Sequence, residues 1–365
     1  MSDRRAIVVY GATGFTGGLT VDALVSRGVR PIVAGRNDAR VREIAARHGL
    51  DDAHVIVADS SQPHEIARMV ERAAVVVSCA GPFVQFGEPV VAACASRGVH
   101  YVDSTGEAAF VQMVSRRYEA TARARKCVLA PAMAFEVSVA DAAAERAANG
   151  LEGTLDVEIA YASSKGTTSR GTRASIAEML LRPGLRFEHG ELREEPLGAI
   201  VRDVVFASPF GTRHAVSFAS PELLTIPRHV NADSVRTLMS MRNAGAVRKL
   251  AAVLRFSAPV AGGLLRRALS RGEPSPSPEQ RARARFQVAA RVKETTSGRG
   301  RTVIVSGNDP YGLSAVFLAE AAIRLSQTDP PGRGLLAPSQ VLGAGRILGL
   351  IQPFDGSVHD ERFGT

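Results

Sequence analysis

Gly11, Gly14 and Gly17 stand directly behind an apolar, β-branched run, residues 6–10, and directly ahead of helical spacing that begins at Leu19. Between a strand and a helix, glycines so placed build an anion cradle. The first allows the tight turn, the second lets backbone approach a pyrophosphate, and the third lets the helix pack on the strand. The N–H groups of the helix start then face the anion. Thr13, Phe15 and Thr16 complete the turn. The spacing is GxxGxxG rather than GxGxxG, so the strand–turn–helix context carries the reading of dinucleotide binding. Arg36 follows the next apolar run, in Ala34-Gly-Arg36-Asn37. An acidic residue at that place bonds a ribose 2′-hydroxyl, whereas an arginine offers its planar fork of donors to a 2′-phosphate. NADP(H) is therefore expected over NAD(H), with Asn37 beside the arginine in the cofactor site.

Further candidates fall at the ends of the following apolar runs. Asp59 ends the third, where a side chain either reaches adenine or caps the next helix. Cys79-Ala80-Gly81-Pro82-Phe83 ends the fourth; its small residues let the cofactor lie against backbone, and Pro82 and Phe83 fix a turn toward the nicotinamide. Tyr101-Val-Asp103-Ser104-Thr105-Gly106-Glu107 ends the fifth. Two carboxylates, two hydroxyls and a glycine at a strand's carboxyl end make a site wall, or else Asp103 and Ser104 cap the helix that follows. Tyr101, Asp103, Glu107 and Glu136 are the candidate proton donors, with Ser104 and Thr105 as substrate contacts. Ser169 and Arg170 precede a helix expected over 173–181, where they cap it or hold a substrate carboxylate.

These residues need a scaffold that brings strand ends together. Residues 32–34, 55–58, 75–79, 100–102 and 127–130 are short β-branched runs separated by helical spacing, as in a parallel sheet covered on both faces. After Asp141 the pattern changes to alternation, at 155–162, 199–207 and 213–218. Residues 286–295 and 302–306 flank Ser297-Gly-Arg-Gly300 as a hairpin. The expected class is α/β, a Rossmann doubly wound sheet over 1–130. An α+β domain on a mixed or antiparallel sheet follows over 131–310, then a C-terminal helical segment over 311–365 that returns toward the first domain. Residues 272–278 read as an exposed linker.

The chain has 365 residues, 45% apolar and 22% charged, enough for two domains with substantial cores. Its formal charge of +9 invites a nucleic-acid partner. The basic residues are dispersed, however, and Lys occurs only at 126, 165, 249 and 293 among many arginines; no nucleic-acid partner is expected. No apolar window reaches the length of a membrane span, and the first strand follows the N-terminus too closely for a signal peptide. Cys79, Cys94 and Cys127 lack metal-site spacing and read as buried thiols of a reducing cytoplasm, with no metal. Residues 242–271 interleave Arg248, Lys249, Arg255, Arg266 and Arg267 with apolar residues. They pack as a helix pair on the second domain or rest on anionic lipid.

Tyr161-Ala-Ser-Ser-Lys165 has the spacing used by short-chain dehydrogenases, where one helical face presents both side chains. Its flanks alternate as a strand and Gly166 follows the lysine, so replacing Tyr161 by Phe is expected to leave most activity. A wider set of motifs resembles the saccharopine dehydrogenase-like oxidoreductases, which include trans-acting enoyl reductases. The set comprises the glycine turn, residues 34–36, 79–83 and 101–107, then Ser169-Arg-Gly-Thr172, Pro209-Phe-Gly211 and Gly307-Asn-Asp-Pro-Tyr311. That resemblance implies a Rossmann domain, a mixed-sheet second domain, a homodimer, and hydride transfer from NADPH to a C=C or C=N bond of a small or acyl substrate. Amino-acid C–N oxidoreduction and a non-catalytic NADP sensor or scaffold are the alternatives. The chain departs from the family where many members carry Gly-Phe-Asp, a Pro and a further Asp: here stand Ala134-Phe135-Glu136, Val139 and Asp141.

Overall fold

Val, Ile and Ala crowd the early apolar runs because both faces of a parallel sheet are covered. In the computed structural model, which describes residues 6–164, 168–241, 263, 275–327, 329–330 and 332–364, these runs form six parallel strands. They are β1 (Ala6–Tyr10), β2 (Ile32–Gly35), β3 (Val55–Val57), β4 (Ala73–Ser78), β5 (His100–Asp103) and β6 (Val128–Ala130). Their order is β6-β5-β4-β1-β2-β3, the doubly wound arrangement, with its reversal between β1 and β4. The two residues Gly334–Leu335 pair parallel to β6 as a seventh strand at that edge. The four strands β1, β2, β4 and β6 are almost wholly buried.

The chain forms two compact units. The first comprises the chain up to Thr105, Ala109–Phe135 and Tyr311–Leu342; the second comprises Gly106–Ala108, Glu136–Pro310 and Gly343 onward. The C-terminal segment 311–365, expected as one helical piece returning to the first domain, is thus divided. Helix Pro310–Gln327 lies almost entirely in the first unit, while Ser357–Phe363 is a strand of the second unit's sheet, paired with Gly300–Asn308.

The second unit is built on a nine-stranded mixed sheet. Its strands are β7 (Leu155–Ser163), β8 (Gly184–Glu188), β9 (Glu191–Glu195), β10 (Val201–Val205), β11 (Thr212–Ser217), β12 (Ala232–Ser240), β13 (Arg285–Glu294), β14 (Gly300–Asn308) and β16 (Ser357–Phe363), β15 being Gly334–Leu335 of the first unit. The order is β10-β11-β12-β7-β13-β14-β16, with β8 and β9 pairing off β12. Only the β7–β12 pair is parallel among them; the hairpin expected from the Ser297–Gly300 turn is the antiparallel β13–β14 pair. Ala160, Ala162, Phe206, Phe210, Ala215, Leu238 and Ala289 pack together as one core cluster of this unit. Within the expected linker, Ser277 is instead the N-cap of helix Pro278–Arg283, in a capping box with Gln280.

Candidate functional site

The glycine turn is built as its spacing requires. Gly11 has a positive φ of 80°, and a Cβ there would fall 2.9 Å from the backbone N of Ala80, so the turn after β1 lies against the chain leaving β4. A Cβ on Gly17 would fall 2.1 Å from the Gly11 carbonyl oxygen, closer than any side chain is tolerated; glycine at 17 is what lets helix Phe15–Val25 seat on the turn. Gly14 is the N-cap of that helix, in an extended conformation and without a side-chain cap. Its own amide donates to the Gly11 carbonyl at 2.9 Å, and the helix start that follows favours an anion. A Cβ at Gly14 would stand 3.2 Å from the Gly11 oxygen, in the mouth of the cradle. The ring of Phe15 meets Tyr311 edge to face at 5.0 Å, which anchors helix Pro310–Gln327 beside the turn.

The 2′-phosphate side of the site follows β2. Thr13 lies over Gly35, where a Cβ would come within 3.7 Å of its hydroxyl. Arg36 is exposed, and its charge is felt by Asp59 and Tyr10. Asn37 accepts the Arg40 amide at 3.0 Å and caps helix Asp38–Arg47. Asp59 accepts both the amide and the hydroxyl of Ser61 at 2.8 Å. Those bonds, and Arg36, hold its carboxyl below the ordinary range. The cap of the following helix is Gln62, not Asp59. Replacing Arg36 by Ala is expected to weaken NADPH binding by about 1.5–3 kcal/mol, the worth of a charge-assisted hydrogen bond, and to leave NADH binding nearly unchanged. Titration calorimetry with both cofactors checks this; equal losses would remove Arg36 as the selector.

The β4 exit turns through a cis Gly81–Pro82 bond. Cys79 lies 3.9 Å from the Thr20 hydroxyl, and burial pushes its thiol up to about 12, so it is an inert small side chain. Phe83 is buried and packs on Phe110 at 5.6 Å. At the β5 exit, Tyr101 and Asp103 have no exposed surface. One Asp103 oxygen accepts the amides of Thr105 and Ala132, each at 2.8 Å. Asp103 thereby ties the ends of β5 and β6 together, and burial with the nearby Asp103 charge keeps the Tyr101 phenol neutral. Buried inside the sheet, this pair builds the wall rather than facing a substrate. Ser104 is half-buried and Thr105 buried.

In the second unit, Glu107 accepts a hydrogen bond from Ser175 at 2.7 Å, which engages one of its oxygens with helix Arg170–Leu180. Ser169 caps that helix through the Thr172 amide at 3.1 Å. The helix begins at Arg170, three residues before the expected start, because Ser169 supplies the cap. Arg170 is exposed. Glu136 opens helix Phe135–Ala148, and Gly106 leaves room for it: a Cβ at 106 would fall 3.2 Å from its Oε1. Burial, with the charge of Glu222, lifts the Glu136 carboxyl to about 7. Of the four candidate acids it alone combines a raised proton affinity with partial exposure.

Tyr161 sits in strand β7, so the helical Tyr–Lys register of a short-chain dehydrogenase does not form; Lys165 and most of 242–271 lie outside the described residues. The Tyr161 hydroxyl donates to Glu222. Sequence reasoning passed over Glu222 and also His229, whose Nε2 is 3.0 Å from Asp141. Neither lies at a strand end or in a motif. Among the described residues no group of His, Cys, Asp and Glu forms a metal site, and no helix is long and apolar enough to cross a membrane.

A doubly wound sheet with a glycine turn at its reversal is the arrangement of a dinucleotide-binding domain. Residues 7–147 match the saccharopine dehydrogenase NADP binding domain, and the chain thus carries a saccharopine-dehydrogenase-like NADP-binding fold. It is 37% identical over 188 residues to a Mycobacterium tuberculosis protein named as a candidate trans-acting enoyl reductase, a match covering 48% of this chain and 44% of that one. It is 46% identical over 108 residues to the trans-acting enoyl reductase of Mycobacterium leprae, covering 28% and 26%. The chain therefore covers less than half the length of these relatives. In fold, saccharopine dehydrogenase (L-Glu forming) from Saccharomyces cerevisiae is similar over 98% of this chain and 99% of its own, with a TM-score of 0.60 at 13% identity.

Proposed function

We propose that the protein is an NADPH-dependent reductase that saturates a C=C bond conjugated to a carbonyl, in an acyl-type substrate. The single observation that carries the cofactor half is the turn at Gly11, Gly14 and Gly17, whose missing Cβ atoms let it pack against the β4 exit and let helix Phe15–Val25 start directly on it. The substrate half is supported by the relatedness to proteins named trans-acting enoyl reductases. Bound NADPH would supply the hydride. The amides of the first turn of helix Phe15–Val25 would hold the pyrophosphate, and Arg36 the 2′-phosphate. Reduction adds a hydride to one carbon and a proton to its neighbour. Glu136 is the group suited to give that proton near neutrality, because its raised affinity keeps it protonated there.

The proposal extends to a homodimer in the cytoplasm. For residues 242–271 only the sequence pattern speaks, and co-sedimentation with anionic vesicles decides between lipid and internal packing. The main test follows NADPH consumption by its nicotinamide absorbance against a panel of enoyl thioesters and imines. Turnover of enoyl thioesters with NADPH, and little with NADH, is expected. Turnover of imines alone would move the chain to C–N chemistry. NADPH binding without any turnover would favour a sensor.

A further inference from the structure

A cleft of about 570 Å³ opens at the C-terminal end of helix Phe135–Ala148, wholly within the second unit. Pockets for small organic ligands run to roughly 300–1,000 Å³. Leu151, Leu155, Val230 and Leu348 give the cleft an apolar lining, and Glu145, His229 and Asn231 line it beside them. Asn231 turns its amide nitrogen onto the Gly153 carbonyl at 2.7 Å, so its oxygen is the free end. Arg146 is also at the cleft, but its guanidinium is committed to Asp360, at 2.9 and 2.5 Å.

The His229 side chain is only 10% exposed, and its two nitrogens have different partners. Nε2 is 3.0 Å from Asp141, a carboxylate with no exposed surface, which fixes a proton on that nitrogen. Nδ1, on the other side of the ring, has no hydrogen-bond partner. The Glu145 carboxylate, which lines the cleft, lies 3.4 Å from it. A neutral His229 thus sets a lone pair against a carboxylate, two acceptors with no donor between them. Asp141 and Glu145 favour the charged ring against the effect of burial. The other elements at the cleft add no charge: β7 brings Leu155, and helix Ala344–Gly349 brings Ala344, Gly345 and Leu348.

We propose that this cleft binds an alkylammonium ligand, whose N–H groups bridge His229 Nδ1 and Glu145 and whose apolar chain lies on Leu151, Leu155, Val230 and Leu348. An ammonium carries three donors and no acceptor, the complement of a lone pair, a carboxylate and the Asn231 oxygen. A ligand carboxylate or phosphate would meet Glu145 as a like charge, and an alcohol brings a single donor and no charge. The Glu145 side chain is 44% exposed, so it can swing to admit the headgroup. The bound cation takes the place of the imidazole proton between Nδ1 and Glu145. Amine and proton therefore exclude one another, and each weakens the other's binding by the same factor. The site stands independently of the enoyl reading.

The test uses the full-length protein with isotope-labelled histidine, titrated by NMR with and without n-hexylammonium chloride. Hexanol and hexanoate are the neutral and anionic controls. The His229 signal is the one missing from His229→Gln. Saturating hexylammonium, which stays charged as a lysine does, is expected to lower the His229 midpoint by about half a unit or more. Its own Kd tightens about threefold or more between about pH 5.5 and about pH 8.5. In Glu145→Gln, a change of shape-matched residue at a partly exposed position, the midpoint no longer responds and the Kd weakens about tenfold. Should His229→Gln not fold, saturation transfer from protein to amine compares wild type with Glu145→Gln without an assignment. No response to hexylammonium in wild type overturns the proposal. So does an equal response to hexanol, tighter binding of hexanoate, or unchanged amine binding in Glu145→Gln.

Discussion

Gly14→Val is expected to abolish measurable NADPH binding while the protein stays folded. Of the three cradle glycines only this one separates the two effects. Gly11 has a positive φ and Gly17 has backbone within 2.1 Å of its Cβ position, so a side chain at either strains the fold itself. Gly14 has an extended backbone with φ −80°, open to any residue, and its Cβ position has a nearest neighbour at 3.2 Å. A branched side chain there occupies the pyrophosphate's place. Losing two or more charge-assisted hydrogen bonds, each worth about 1.5–3 kcal/mol, weakens binding at least ~10²-fold. Calorimetric titration and a melting curve are measured side by side. Normal NADPH affinity in a folded variant would put the cradle elsewhere.

Glu136→Gln is expected to lower kcat by ~10²-fold or more, the usual contribution of a general acid, with NADPH affinity within a few fold. Glutamine keeps the shape of the side chain and removes only its titration. Glu107→Gln has the smaller effect, since Ser175 already engages that carboxyl. Wild-type kcat is expected to fall as pH rises through about 7, where Glu136 loses its proton. Stability carries the same sign. Glu136 has a folded value above its unfolded one, so its contribution is full below the ordinary carboxylate range and is lost as pH rises to about 7. Melting temperatures of wild type and Glu136→Gln therefore diverge between those limits, wild type falling relative to the variant. Equal turnover in both glutamine variants would make these carboxylates structural and leave water or another second-unit residue as donor.

The parallel sheet was legible because burial on both faces writes β-branched runs into β1 and β4. The glycine turn was legible because the need for absent side chains is local. Strands β8 and β9 were not: Gly-Leu-Arg-Phe-Glu is half-buried along its length and Glu-Leu-Arg-Glu-Glu is charged and mostly exposed, so no apolar period marks them. β16, Ser-Val-His-Asp-Glu-Arg-Phe, is an exposed edge strand for the same reason. The wall at 101–107 was readable as a cluster of polar residues, but its roles were not. Only the fold shows that Asp103 spends its oxygen on two backbone amides. The Tyr161–Glu222 bond joins residues 61 apart, and no local pattern encodes it.

The dinucleotide sheet is discontinuous in the chain. Its edge strand, Gly334–Leu335, and the helix Pro310–Gln327, which buries Leu313, Phe317, Leu318 and Leu325, follow the whole of β7 to β14. A ribosome that has delivered the glycine turn, Arg36 and the β5 exit has therefore not delivered what closes their sheet. Until roughly 230 further residues emerge, the flank of β6 and the side of Phe15 that receives Tyr311 stay uncovered. Completion of the nucleotide sheet thus waits on the segment after β14, and a chain cut after Asn308 would carry the glycine turn and Arg36 and still be an unfinished nucleotide domain.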